Sequence, residues 1–224
     1  MEIKTVSTRD NPYLQTLSSV FKAPDKVYIS GALPETRLPS VAIVGSRKPT
    51  TYGKEVTFTL ARDLTKAGLV IISGLALGID SIAHKAALEV GGTTIAVLPG
   101  GLDDIYPSSH MGLARQIVDS GGALISEHPV RTKIYKSSFL SRNRLVSGLA
   151  DAVIVTEAAS RSGTLATVTY ALEQGKEVLA LPGNVTSNLS VGPNNLIKQG
   201  AHPITSAQDV LEIIAPDLIQ KQST

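Results

Sequence analysis

The amino-acid sequence predicts an α/β fold: an extended Rossmann-like, doubly wound, mostly parallel sheet with helices on both faces and a small N-terminal extension. Three observations carry the expectation. Short runs that are apolar throughout, rather than alternating, recur between residues 41 and 181, which marks strands buried on both faces. The stretches between most of them place apolar residues near a 3.6-residue period and close on glycine, where a left-handed helix C-cap costs little. Strand and helix therefore alternate, the pattern of βα units in a parallel sheet.

Taken in order, residues 1–38 form an N-terminal extension packed on the main domain. In it NPYLQTLSSVF is patterned as a short helix, KVYIS as a short strand and GALPETRLPS as turns. The main domain is expected over 39–215. Its strands are VAIVG (41–45), LVIIS (69–73), TIAVL (94–98), ALIS (123–126), AVIVT (152–156) and EVLAL (177–181). Its helices lie in YGKEVTFTLARDLTKAG, GIDSIAHKAALEVGG, SHMGLARQIVDSGG and TLATVTYALEQGK. Residues 216–224 are assigned to a C-terminal tail.

With 42% apolar and 18% charged residues in 224, the chain can bury a real core and is not disordered as a whole. No run approaches the roughly 18 apolar residues of a membrane span. The start, MEIKTVSTRD, has neither the basic nor the apolar region of a secretory signal, so a cytosolic protein is expected. Zero cysteines exclude disulfides, thiolate metal sites and a cysteine nucleophile, and His84, His110, His128 and His202 show no metal-ligand spacing. No cofactor and no metal are expected. The net charge of +2 is small, but its distribution is uneven. From His128 to Ala150 there is no acid, while Arg131, Lys133, Lys136, Arg142 and Arg144 fall there. Such a run is as often a solvated face as a binding surface.

In a doubly wound sheet the residues just after each strand carry the most weight, because ligands bind outside the carboxyl ends of the strands. Here these read Gly45-Ser46-Arg47, Ser73-Gly74-Leu75-Ala76-Leu77-Gly78, Pro99-Gly100-Gly101, Ser126-Glu127-His128-Pro129, Thr156-Glu157-Ala158 and Pro182-Gly183. Glycine and small hydroxyl residues let backbone N–H groups converge on an anion at a helix start, which suggests phosphate. Tight turns and close packing explain any single loop equally well. Ser162, Gly163 and Thr164 are placed to cap a helix and present N–H groups to a phosphate. Ser73 and Gly74 open the helix carrying Asp80 and His84, four residues apart on one face, where an Asp–His hydrogen bond is possible. A supporting role for His84 is favoured over catalysis, since no nucleophile stands near it in sequence. Arg142, Asn143 and Arg144 set two planar donors around an amide, suited to phosphates and to base or ribose edges. Phe139, just before them, offers apolar contact or a stacking face.

Together these blocks resemble the DprA/Smf family of DNA-processing proteins. The resemblance runs over almost the whole chain, through NPYLQTL, PDKVYISG, VAIVGSR, SGLALGIDSIAH, LPGGLDDIYP, SEHP, FLSRNRLVSGLADAVIVTEAASRSGTLATVTYALEQGK, LPGNVTSNLSVGPNNLIKQGA and DVLEII. So many blocks in order are a specific signal. The resemblance implies a positively charged pocket at the carboxyl edge of the sheet. It also implies a protein that binds and protects incoming single-stranded DNA and loads the RecA recombinase in natural transformation and homologous recombination. Carried over by motif, Arg47 would contact a phosphate, and Arg142, Asn143 and Arg144 would line the pocket, with Lys136 near its mouth. Gly45, Ser46, Ser162 and Gly163 would form its backbone floor, with Glu157 among the supporting residues. Family members often have Cys where Gly100 stands, and Pro then a basic residue where Leu140 and Ser141 stand, so this chain has one cation fewer. They also dimerise through the Rossmann domain, and the stretch of about 200–214, with Val210-Leu211-Glu212-Ile213-Ile214, is the expected contact. Accessory helical or winged-helix domains occur in the family. With room for neither, the chain is expected to be a minimal or trimmed member.

The main alternative is an enzyme similar to the phosphoribohydrolases of the LOG type, whose PGGxGTxxE loop supplies a glutamate. Here the comparable loop runs Ser160 to Thr167, and Thr167 stands where the glutamate would be, so glycosidic acid–base chemistry loses its main group. A dinucleotide module ranks lower, because the first turn is not GxGxxG.

Overall fold

The computed structural model describes the backbone of residues 2–222 and side chains through Ile219. Among these residues one sheet of nine strands runs in the order β1-β2-β6-β5-β4-β3-β7-β8-β9. The strands are β1 (Lys4–Ser7), β2 (Lys26–Gly31), β3 (Ser40–Val44), β4 (Val70–Ser73), β5 (Thr94–Val97), β6 (Ala123–Ser126), β7 (Ala152–Val155), β8 (Glu177–Ala180) and β9 (His202–Pro203). From β6 to β9 all neighbours are parallel, and β1 and β2 add an antiparallel edge. The helices are α1 (Pro12–Gln15), α2 (Thr51–Lys66), α3 (Ile79–Glu89), α4 (Met111–Asp119), α5 (Lys136–Leu149), α6 (Thr164–Glu173), α7 (Val191–Lys198), α8 (Ala207–Ile214) and α9 (Pro216–Gln222).

Successive residues of a strand point to opposite faces, and the core divides accordingly. Ala42, Val44, Ile72, Val97, Ile125, Val153 and Val155 face a cluster with Leu14 and Leu17 of the N-terminal extension, Leu145 and Leu149 of α5, Val168 of α6 and Leu196 of α7. Val41, Ile43, Ile71 and Ile154 face Leu60 and Leu64 of α2, Ala83 and Ala87 of α3 and Val210 and Leu211 of α8. A third cluster joins Leu98 and Leu124 to Leu113 and Ile117 of α4. The doubly wound, mostly parallel arrangement is the one that uninterrupted apolar runs require.

Two details extend the sequence reading. Residues 4–7 form a strand, β1, that their mixed patterning does not announce; its register against Lys26–Ile29 supplies the signal instead. Residues 216–222, grouped with the tail in the sequence, form α9, whose Leu218 and Ile219 pack on the second cluster. Residues 223–224 lie outside the described residues.

Candidate functional site

The strand order reverses between β3 and β7, the topological switch point at which such sheets bind ligands. The turn after β3, Gly45-Ser46-Arg47, therefore faces the loop that runs from the end of β7 to α6. A cleft of ≈ 620 Å³ opens between them, and its wall includes Gly45, Ser46, Arg47, Asp80, Tyr106, Lys136, Phe139, Arg142, Asn143, Arg161, Ser162, Gly163, Thr164 and Thr167.

Backbone bonds fix the two loops against each other. The Ser46 N–H donates to the Glu157 carbonyl at 2.7 Å, and the Ser46 carbonyl accepts from Ile79 N–H at 3.1 Å. The Thr164 hydroxyl donates to the Gly45 carbonyl at 3.1 Å, and Ser162 Oγ accepts the Thr164 N–H at 3.2 Å. Gly78 has φ +78° and no space for a β-carbon, which would lie 2.3 Å from the Ser46 carbonyl oxygen; only glycine lets α3 start flush against the turn. Ser46 thus has its own N–H engaged. By contrast, the N–H groups of Arg161, Ser162 and Gly163 have no acceptor within the chain among the described residues. They lie in the turn that leads into α6, whose dipole adds partial positive charge there.

Helix α5 forms one wall of the cleft, and its geometry separates the three residues that the sequence groups. Residues two apart on an α-helix stand about 200° apart, so Arg142 and Arg144 cannot both face one cleft. Arg142 enters the floor and is 4% exposed. It donates to the carbonyls of Gly74, at 2.6 Å, and Val97, beneath the surface that a ligand would touch. Burial pushes its pKa down to about 10, with Asp80 opposing the shift and Arg47 adding to it, so it stays charged at neutral pH. Arg144 does not line the cleft. It turns the other way, 7% exposed, and donates to Glu127 Oε2 at 2.6 Å and to the Lys22 carbonyl at 3.1 Å, tying the end of β6 to the N-terminal extension. The expectation that it lines the pocket is corrected: the acid-free run finds its carboxylate just outside, at Glu127. Asn143 bridges, accepting from Arg142 Nε at 3.2 Å and donating to the Gly163 carbonyl at 3.4 Å.

The other supporting residues also resolve into structural roles. Asp80 does not meet His84. Its Oδ2 accepts from the N–H groups of Gly74, at 3.0 Å, and Ala76, at 3.4 Å, and burial raises its pKa while Arg142 and these N–H groups act against the rise. His84 turns into the core, its Nδ1 2.7 Å from Thr94 Oγ1. That hydroxyl already donates to the Ile71 carbonyl at 2.7 Å, so His84 carries its proton on Nδ1. Ser73 donates its hydroxyl to the Ile43 carbonyl at 2.7 Å. Glu157, fully buried, accepts from Thr50 N–H at 2.9 Å and Thr50 Oγ1 at 2.6 Å, holding the start of α2 behind the turn.

What remains on the cleft surface is positive. Arg47, Lys136 and Arg161 are exposed, and none of them forms an ion pair among the described residues. The Arg47 guanidinium lies over the Phe139 ring, 5.3 Å from its centroid, and Tyr106 meets that ring edge-on at 5.3 Å. Arg161 and Tyr106 are the polar cleft residues that the sequence does not single out as site residues. Arg161 had a local signal, a basic residue in the loop that opens α6. Tyr106 falls in the LPGGLDDIYP block, but nothing local in that block ties it to the cleft, which it reaches through the fold of residues 99–110.

Comparison with known proteins gives a consistent match. The family model for DNA recombination-mediator protein A matches residues 4–215. The chain is 46% identical over 189 residues to Protein Smf of Escherichia coli strain K12, covering 84% of this chain and 50% of that protein; it thus spans about half the length of that relative. Its structure is similar to DNA processing protein A from Streptococcus pneumoniae, with a TM-score of 0.87 and 39% identity over 96% of this chain and 75% of the other. It is also similar to DNA processing protein A from Helicobacter pylori, whose structure addresses a single-stranded DNA binding mode, with a TM-score of 0.84 and 33% identity over 99% of this chain and 97% of the other.

Proposed function

The chain belongs to the DNA recombination-mediator protein A family, and from that premise we propose that its cleft holds the phosphate backbone of single-stranded DNA and that it delivers the strand to the RecA recombinase. One observation carries the reading: three cations with no ion-pair partner among the described residues, Arg47, Lys136 and Arg161, line the same cleft as the orphan N–H groups of residues 161–163 at the switch point. Exposed cations beside orphan N–H donors bind phosphates without regard to sequence, and the affinity falls with salt. The carboxylates near the cleft oppose this little. Asp80 is bonded to two N–H groups and Glu157 is turned to Thr50. Phe139 and Tyr106 add ring surface for bases. The Helicobacter pylori protein's single-stranded DNA binding mode supports the same choice of ligand.

The phosphoribohydrolase alternative has less support. Thr167, buried in the cleft wall, offers a hydroxyl where that chemistry needs a carboxyl group. A homodimer through residues 200–214 belongs to the proposal, with a narrower contact. Val210 and Leu211 are buried in the chain's own core, which leaves the partly buried Ile213 and Ile214 as the apolar face for a second copy. Fluorescence anisotropy with a labelled single strand and its duplex tests the central reading. Tighter binding of the single strand is expected, and equal or tighter binding of the duplex overturns it.

A further inference from the structure

Between β6 and α5 the chain forms a strap, residues 129–135, whose backbone is pinned while its cations are left free. Both carboxylate oxygens of Asp103 accept the Arg131 N–H, at 3.0 and 2.9 Å. Arg131 has φ +64°, a left-handed conformation that costs a non-glycine residue about 1–2 kcal/mol, so these bonds hold the backbone where it would not rest by itself. The Thr132 hydroxyl donates to the Pro129 carbonyl at 2.7 Å. Ile134 lies against Gly100, where a β-carbon would come within 2.5 Å of its Cγ1. The Tyr135 N–H then donates to Ser138 Oγ at 3.1 Å, which passes the strap into α5.

This anchoring uses the Asp103 carboxylate on a backbone N–H and not on a side chain. Arg131 and Lys133 are consequently exposed and form no ion pair among the described residues, as is also true of Lys136 in the cleft wall. Tyr135 stands between them, 63% exposed. A solvated basic loop needs neither a strained backbone nor a fixed course. Strain that neighbouring groups hold in place is a mark of a site.

We propose that the strap extends the nucleic-acid track. A strand leaving the cleft at Lys136 runs along the strap, with phosphates on Lys133 and Arg131 and a base against Tyr135. The five residues from Lys136 back to Arg131 reach at most about 17 Å, so only a strand longer than the cleft needs them. The inference rests on the cleft being the single-strand site, and oligonucleotide length separates the two.

The test is anisotropy on labelled oligo-dT of about 6 and about 20 nucleotides, within the usual range of single-strand site sizes and beyond it. The variants are Arg47→Ala and the double variant Arg131→Gly/Lys133→Gln. Glycine at 131 accepts the left-handed backbone, so the double variant removes charge without adding strain. It should bind the long oligonucleotide about fivefold more weakly, with a log–log salt slope smaller by about 1.4, or about 0.7 for each of two phosphates. Its binding of the short one should match wild type, and Arg131→Lys/Lys133→Arg should bind both as wild type does. Arg47→Ala should weaken both lengths. Unchanged long-strand binding in the double variant, with Arg47→Ala still impaired, overturns the strap alone. Equal loss on both lengths in the double variant also overturns it, by placing these cations inside the first site. Full binding of both lengths by Arg47→Ala overturns the cleft reading and the strap together.

Discussion

The Gly74 carbonyl accepts a 2.6 Å hydrogen bond from Arg142, and the space beside the Gly74 Cα that a side chain would fill holds the Arg142 guanidinium. A β-carbon there would lie 2.5 Å from one guanidinium nitrogen. The floor of the cleft therefore depends on a residue with no side chain. Gly74→Ala should displace the guanidinium from the carbonyls of Gly74 and Val97 and leave buried Asp80 without its positive neighbour, at a cost of about 2–4 kcal/mol in urea unfolding. In an Arg142→Ala background the same change should cost far less, because the space is then empty. A double-mutant cycle with no coupling between the two positions contradicts this account.

Arg47 and Arg144 should fail in different ways. Arg47 is exposed, so Arg47→Ala should shift unfolding by no more than about 0.5 kcal/mol. It should weaken single-strand binding severalfold, with the salt slope reduced by about 0.7. Arg144 is bonded to Glu127 within the structure, so Arg144→Ala should destabilise by about 3–5 kcal/mol by stranding a largely buried carboxylate. The folded fraction should still bind DNA as wild type does. Anisotropy beside urea titration distinguishes the pair, and a stable Arg144→Ala protein with weakened binding would reverse the assignment.

Phe139 carries both the Arg47 guanidinium and the edge of Tyr106. Phe139→Ala should therefore lower single-strand affinity through lost stacking, by about 1–3 kcal/mol if one base rests on the ring. The salt slope should stay near the wild-type value, because no charge is removed. A loss of slope as large as that of Arg47→Ala would mean that Phe139 acts only by positioning the guanidinium.

The parts of this molecule that short-range pattern controls are legible in the sequence. VAIVG and AVIVT become β3 and β7 to within one residue at either end, because a run apolar on both faces has no other place to go in such a sheet. The turns at the switch point follow from where those strands end. The edge strand Lys4–Ser7 is not legible, since KTVS becomes a strand only through its partner β2. The pairing of Asp80 with backbone N–H groups instead of His84 is equally hidden, because it depends on where Gly74 and Ala76 fold. Helix geometry alone was enough to separate Arg142 from Arg144, but which of them faces the cleft depends on Glu127, brought close by the sheet.

His84 supplies a pH dependence with a definite sign. Burial, chiefly, with His110 and Arg142 acting in the same direction, pulls its pKa down to about 3 from the ordinary 6.5, and its Nε2 finds no partner among the described residues. Between these values the unfolded chain holds a proton that the folded chain refuses. Its contribution to stability is fully present above about pH 6.5 and is lost as pH falls, at about 1.4 kcal/mol per pH unit. From about pH 7 to about pH 5 the loss from this group should be roughly 2 kcal/mol, read as a falling urea midpoint. His84→Asn keeps a side-chain donor near the Thr94 hydroxyl but cannot take up the proton. Its stability should start lower at neutral pH and fall less steeply, by about one proton's worth of slope. Parallel pH profiles for the two proteins would show that another group, and not His84, sets the acid sensitivity of the fold.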